Sequence, residues 1–181
     1  MPDIVFVRVD WDNQAFPLPL PGIRMHRLHV DPEPAHPFGR KGLVLASAWE
    51  QLRTPSATGM LILDGDVAID LYDLSVMLAA INKDPAVVHA APARLWPRST
   101  GRTSWVWSVW DGEQSQELPE TPAFTTFCFT YLPALLLARC VKAGLKQQRF
   151  PHVDSFVSAK AAAAGIPIRI VPDAAPKHLQ R

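Results

Sequence analysis

The sequence predicts an α/β fold with a largely parallel central sheet. Three observations carry this reading. Short, wholly apolar runs of strand length recur along the chain. Segments with helical periodicity stand between them. Turn and capping residues separate the two kinds of segment, the pattern expected of strands alternating with helices.

The first apolar run, residues 4–9, is rich in β-branched residues, with Arg8 as its first charge, and reads as a strand buried on both faces. A proline-rich stretch over 16–37 follows. Proline fixes φ and removes a backbone donor, so an irregular surface loop is expected there. Leu45, Ala48, Trp49 and Leu52 then recur at helical spacing, which predicts an amphipathic helix over 43–53 ended by Thr54-Pro55-Ser56. The run 60–63, flanked by turn residues, predicts a central strand that leads directly into Asp64-Gly65-Asp66. Asp70 is placed to cap a helix carrying Leu71, Leu74, Met77, Leu78 and Ile81, with Asp73 at the positive end of its dipole. Asp84-Pro85 ends that helix, and 86–91 reads as a further strand.

Residues 94–122 differ in kind. They mix Trp96, Trp105, Trp107 and Trp110 with Arg94, Arg98 and Arg102. Trp105-Val106-Trp107 predicts half of a hairpin. Such aromatic and arginine faces suit sugar rings or unstacked bases, and such tryptophans more often serve as core or hairpin-packing residues. Beyond them, a helix is predicted over 132–143, with Pro133 in its first turn and Gly144 past its end. Asp154 opens another helix that carries Phe156, Val157, Lys160, Ala161 and Ala164, with Gly165 as its C′ residue. Residues 166–171 read as a late strand closed by Pro172, and no internal repeat is visible.

Composition narrows the function classes. A chain of 181 residues suits one domain with a real core, and 48% apolar residues argue against disorder. A net charge of +1 gives no global electrostatic case for nucleic-acid or membrane binding. The two cysteines, Cys128 and Cys140, lie in or beside apolar runs and match no zinc spacing. Buried free thiols in a reducing cytoplasm are the expectation. The N-terminus shows no signal-peptide pattern, and the longest apolar stretch, 132–138, falls well short of the roughly 20 residues a membrane helix needs. A cytoplasmic protein without a membrane span is expected.

The chemistry centres on Asp64-Gly65-Asp66. In an open α/β sheet, ligands bind beyond the carboxyl ends of the strands. Two acids after an apolar strand therefore place carboxylates at the usual ligand site. Residues i and i+2 of an extended chain point to one side, and two hard oxygen donors suit Mg²⁺ or Mn²⁺. Gly65 between them permits close approach. The competing reading is a simple Asp-Gly turn after a strand.

The stretch 39–67 resembles the donor half of GT-A-fold glycosyltransferases, especially the inverting family 2. The matching pieces are Gly39-Arg40-Lys41-Gly42 at a helix start, Gly59, the apolar run 60–63, and Asp64-Gly65-Asp66. The C-terminal part resembles the same family independently, through Asp154, Lys160, Gly165, the run 166–171, Pro172-Asp173 and His178. The chain departs from the pattern at Val153, where the first of two acids usually stands, and at Lys160, where Arg is usual. It is also short for the family.

The resemblance implies a compact GT-A-like, Rossmann-like domain spanning 1–181, with a mostly parallel sheet flanked by helices. Residues 1–91 would be the nucleotide-sugar donor half and 92–181 the acceptor half. It implies a UDP- or GDP-sugar as donor and Mn²⁺ or Mg²⁺ as cofactor. Asp66 and His178 would be metal ligands, and Asp64 would contact the ribose or the metal's shell. Asp154 would be the general base for a hydroxyl acceptor, with inversion at the sugar. Arg40, Lys41 and Lys160 would meet the diphosphate, and Arg8 and Asp10 the nucleotide base. The acceptor, whether glycan, lipid, protein or modified nucleobase, is not specified.

Bland readings stand beside these: Asp154 as a helix N-cap, His178 as a surface residue near a chain end, Arg40 and Lys41 as decoration of a helix start, Lys160 as a solvated lysine. Two rival functions also stand. A haloacid-dehalogenase-like phosphatase places Asp-X-Asp after an apolar strand, but expects Thr or Val where this chain has Ala68. A non-catalytic sugar-nucleotide-binding protein of the same fold is the other.

Overall fold

A computed structural model describes residues 3–10, 24–31, 40–95, 106–110, 117–119, 122–149 and 152–178. Gly39, Trp96, Arg98, Arg102, Trp105 and most of the proline-rich stretch lie outside them. The elements in chain order are β1 (Ile4–Asp10), β2 (His26–His29), α1 (Lys41–Leu52), β3 (Gly59–Asp64), β4 (Val67–Ala68), α2 (Leu71–Lys83), β5 (Val88–Ala90), β6 (Arg94–Leu95), β7 (Val106–Trp107), β8 (Val109–Trp110), β9 (Phe124–Thr125), β10 (Phe129–Pro133), α3 (Ala134–Lys142), a 3₁₀ turn (Leu145–Gln147), α4 (His152–Ala163), β11 (Ile168–Ile170) and β12 (Lys177–His178).

Six strands form the central sheet, in the order β11-β5-β10-β3-β1-β2. All pairings are parallel except those of β10, which runs antiparallel between β3 and β5. The α/β class with a mostly parallel sheet read from the sequence is therefore the observed one. Strand alternation divides the core into two faces. Val5, Val7, Val9, Met60 and Ile62 pack with residues of α1, α3 and α4. Phe6, Leu61, Leu63, Phe129 and Tyr131 pack with α2.

Local chemistry accounts for several boundaries. Asp70 and Asp73 form a reciprocal capping box at the start of α2, each carboxylate accepting from the other's backbone N–H at 2.9 and 3.0 Å. Gly165 takes φ +66°, the left-handed conformation that closes α4. Residues 94–95 and 106–107 pair antiparallel, so Val106-Trp107 of the expected strand is paired, while Trp105 lies outside the described residues.

Three segments differ from the sequence expectation. Residues 129–133 form a strand, and the helix expected from 132 begins only at Ala134. Strand and helix meet there without a turn, so one apolar run covers both, and Pro133 precedes the helix instead of entering its first turn. His26–His29, inside the expected loop, pairs with β1 as an edge strand whose polar alternation carries no apolar strand signal. Lys177–His178, at the chain's end, pairs antiparallel with β4.

Candidate active site

The carboxyl ends of β1 and β3 lie side by side, with Val9 in register with Asp64. Alternation along β3 puts Asp64 on the face of Met60 and Ile62, the face covered by α1 and α4. Both helices begin at this edge of the sheet: α1 follows the parallel strand β2, and α4 follows α3 and the 3₁₀ turn, since the antiparallel β10 sends α3 back across the sheet. Their first turns therefore bring Lys41 and Asp154 to Asp64.

Lys41 has no exposed surface. Its Nζ donates to Asp64 at 2.9 Å (Oδ1) and 3.2 Å (Oδ2), and lies 3.7 Å from Asp154 Oδ1. The ammonium also sits 5.0 Å from the centre of the Phe127 ring, a cation–π contact. Burial alone would lower the Lys41 pKa, but the Asp154 and Asp64 charges outweigh it and push it up to about 12. Burial raises the Asp64 carboxyl above its usual range; Lys41 pulls against the rise and Asp154 adds to it. Burial likewise raises Asp154, opposed by Lys41 and by a hydrogen bond from the Phe127 backbone. Asp154 is buried within the first turn of α4, and among the described residues its Oδ1 has no hydrogen-bond partner. The N-cap reading of Asp154 is thus replaced by a contact with Lys41.

Asp64 and Asp66 do not share one side of an extended chain. The backbone turns at Gly65 and Asp66. That turn is fixed from β1: Gly65 N–H donates to Val9 O at 2.8 Å, and the Arg8 guanidinium donates to Gly65 O at 2.7 Å. A Cβ at Gly65 would stand 2.5 Å from Asp10 Oδ1 and 2.9 Å from Val9 O, so glycine is required by close approach of the backbones. Arg8 is buried and also donates to Asp10 at 2.9 Å, and Arg27 of β2 donates to the other Asp10 oxygen at 2.9 and 3.1 Å. Arg8 and Asp10 therefore clamp the loop that carries Asp64 and Asp66.

Beyond the turn, β12 pairs with β4, His178 in register with Val67, and His178 Nε2 lies 3.4 Å from Asp66 Oδ2. Burial would raise the Asp66 carboxyl, but the hydrogen bond and charge of His178 outweigh it and hold it below its usual range. His178 Nδ1 is buried and, among the described residues, has no hydrogen-bond partner. The segment leading to His178 is tied down by Asp73, whose Oδ1 accepts from Ala175 N–H at 2.8 Å. That role of Asp73 has no sequence signal, because its capping pattern already explains it.

Lys160 stays apart from this cluster. It lies in the last turn of α4, its Nζ 5.3 Å from the Phe156 ring centre and close enough to α3 to oppose the burial-raised pKa of Cys140. Arg40 is exposed before α1.

The donor set fits a divalent cation in part. Asp66 and His178 offer one carboxylate and one imidazole facing each other. Both oxygens of Asp64 accept from Lys41. Among the described residues no three His, Cys, Asp or Glu side chains converge as a metal cluster. A cation here would take its remaining ligands from water or substrate oxygens, as Mg²⁺ commonly does.

No protein-family model matches the chain, and no curated protein matches it in sequence. Among solved structures it is similar to A197 from STIV, with a TM-score of 0.53 and 13% identity over 96% of this chain and 83% of that one. This likeness concerns the fold. Among the described residues no helix is long and apolar enough to cross a membrane, and both cysteines are free and buried.

Proposed function

We propose that the protein is a metal-dependent glycosyltransferase that moves a sugar from a nucleoside-diphosphate sugar to a hydroxyl acceptor, with inversion. One observation carries the reading. Residues far apart in sequence, Asp64, Asp66, Asp154 and His178, collect at the carboxyl edge of the sheet, and two of their buried polar atoms, Asp154 Oδ1 and His178 Nδ1, have no partner among the described residues. Buried polar atoms without partners are costly, and an absent ligand is a common reason for them.

Asp66 and His178 would hold Mn²⁺ or Mg²⁺, which would neutralise charge growing on the leaving diphosphate. The starts of α1 and α4 add positive dipole ends at the same edge, favourable to a diphosphate. Asp154 would take the acceptor proton as the hydroxyl oxygen bonds to the anomeric carbon and the bond from that carbon to the diphosphate oxygen breaks. A carboxyl raised by burial suits a base working near neutral pH.

The Lys41 contact favours a second reading, a protein that binds sugar nucleotides without turnover, since it occupies both oxygens of Asp64 and approaches Asp154. The discriminating assay is release of UDP or GDP from a panel of nucleotide sugars with Mn²⁺ and mixed acceptors. The transferase reading expects release that Asp154→Asn lowers at least a hundredfold. Donor binding with no release in either protein supports the second reading.

A further inference from the structure

The triad of Lys41, Asp64 and Asp154 is unusual as a structural feature. A lysine with no exposed surface bridges two buried carboxylates, 7% and 4% exposed, and among the described residues one Asp154 oxygen is still left without a hydrogen bond. The formal charge of the three groups is one negative. Without the ammonium it would be two negative in a closed space at the edge of the sheet. Two buried carboxylates facing one point form the kind of hard-oxygen site that takes a divalent cation.

The geometry points to Lys41 as a resident counter-cation that keeps divalent metal out of the Asp64–Asp154 pair and so confines it to Asp66 and His178. The site takes this form because α1 starts beside β3. The ammonium reaches the carboxylates from within the fold, with its stem covered and Phe127 behind it. A metal ion would have to displace a tethered charge that makes contacts of 2.9 and 3.2 Å with Asp64. The orphaned oxygen of Asp154 shows that the lysine satisfies the pair incompletely, and it is the position a smaller, doubly charged ion would fill. The confinement of metal to Asp66 and His178 rests on the functional reading above; the exclusion itself does not.

The test uses Mn²⁺ alone, without nucleotide, on the full chain. Bound Mn²⁺ per chain is counted by electron paramagnetic resonance in the wild type, Lys41→Met, and Lys41→Met with Asp154→Asn. Melting temperatures are measured with Mn²⁺ and with EDTA. Lys41→Met is expected to bind one more Mn²⁺ than the wild type. It should melt about 10 °C lower in EDTA and recover roughly half of that loss at a hundredfold excess of Mn²⁺ over its Kd. The double variant should lose the extra ion. Equal Mn²⁺ counts in wild type and Lys41→Met would overturn the inference. So would a Lys41→Met chain that stays unfolded in Mn²⁺ while the double variant folds. A wild type that binds no Mn²⁺ would count against Asp66 and His178 as ligands, and the comparison between variants would still decide the role of Lys41.

Discussion

Lys41 and Asp64 form a buried ion pair in which one ammonium meets both oxygens of the carboxylate, at 2.9 and 3.2 Å. Removing one partner of such a pair leaves charge buried without compensation, which typically costs about 3–5 kcal/mol. Lys41→Met should lose about that much stability in urea unfolding in metal-free buffer. Adding Asp154→Asn should return part of it, because the two sites share one interaction. A loss below about 1 kcal/mol in the single variant would show that the pair carries little weight.

Gly65→Ala should destabilise the protein by about 1–3 kcal/mol, the usual range for forcing extra volume into a packed site. The added Cβ would press on Asp10 Oδ1 and Val9 O and so loosen the Arg8–Asp10 clamp. Denaturant unfolding measures the loss. Unchanged stability would mean that β1 does not fix this turn.

Asp73 bonds both to the start of α2 and to the segment that carries His178. Asp73→Ala should cost about 1–2 kcal/mol through the lost cap. It should also weaken Mn²⁺-dependent donor binding, although Asp73 contacts neither proposed metal ligand. Asp70→Ala, which removes the reciprocal cap alone, is the control and should leave that binding nearly intact. Isothermal titration of both variants separates the two effects.

Burial lowers the His89 pKa, and the nearby Arg169 charge adds to this, against the opposing pull of Asp84. Its Nε2 contacts Asp84 O at 2.8 Å beside Tyr131. A histidine whose folded pKa is depressed contributes stability fully above its unfolded value of about 6.5, and loses it as pH falls through the folded pKa. The wild type should therefore lose stability between pH 7 and pH 5 relative to His89→Gln, read as a difference in urea midpoints. Parallel curves would contradict this.

Much of the sheet was legible because its strands are uninterrupted apolar runs, as at 60–63, and because Asp70 and Gly165 mark helix ends with specific chemistry. β10 was not, since an apolar run that passes from strand to helix carries no boundary. β2 and β12 were not, since paired edge strands with polar residues owe their form to the neighbour they bind. In the candidate site, the residue types at 64, 66, 154 and 178 could be named from motifs. The burial of Lys41 could not, because a lysine at a helix start reads as solvated until the fold places two acids beside it. The splitting of Asp64 from Asp66 by the turn at Gly65 likewise depends on Arg8 reaching across from β1.

The most direct test is a thermal-shift screen of UDP- and GDP-sugars, each with and without Mn²⁺, on the wild type, Asp66→Ala and His178→Ala. A ligand that binds only the native state raises the melting temperature. A rise is expected with one nucleotide only when Mn²⁺ is present, lost in Asp66→Ala and reduced in His178→Ala. No rise with any donor at saturating concentration, or the same rise in Asp66→Ala as in the wild type, would contradict a nucleotide-sugar site built on Asp66 and His178.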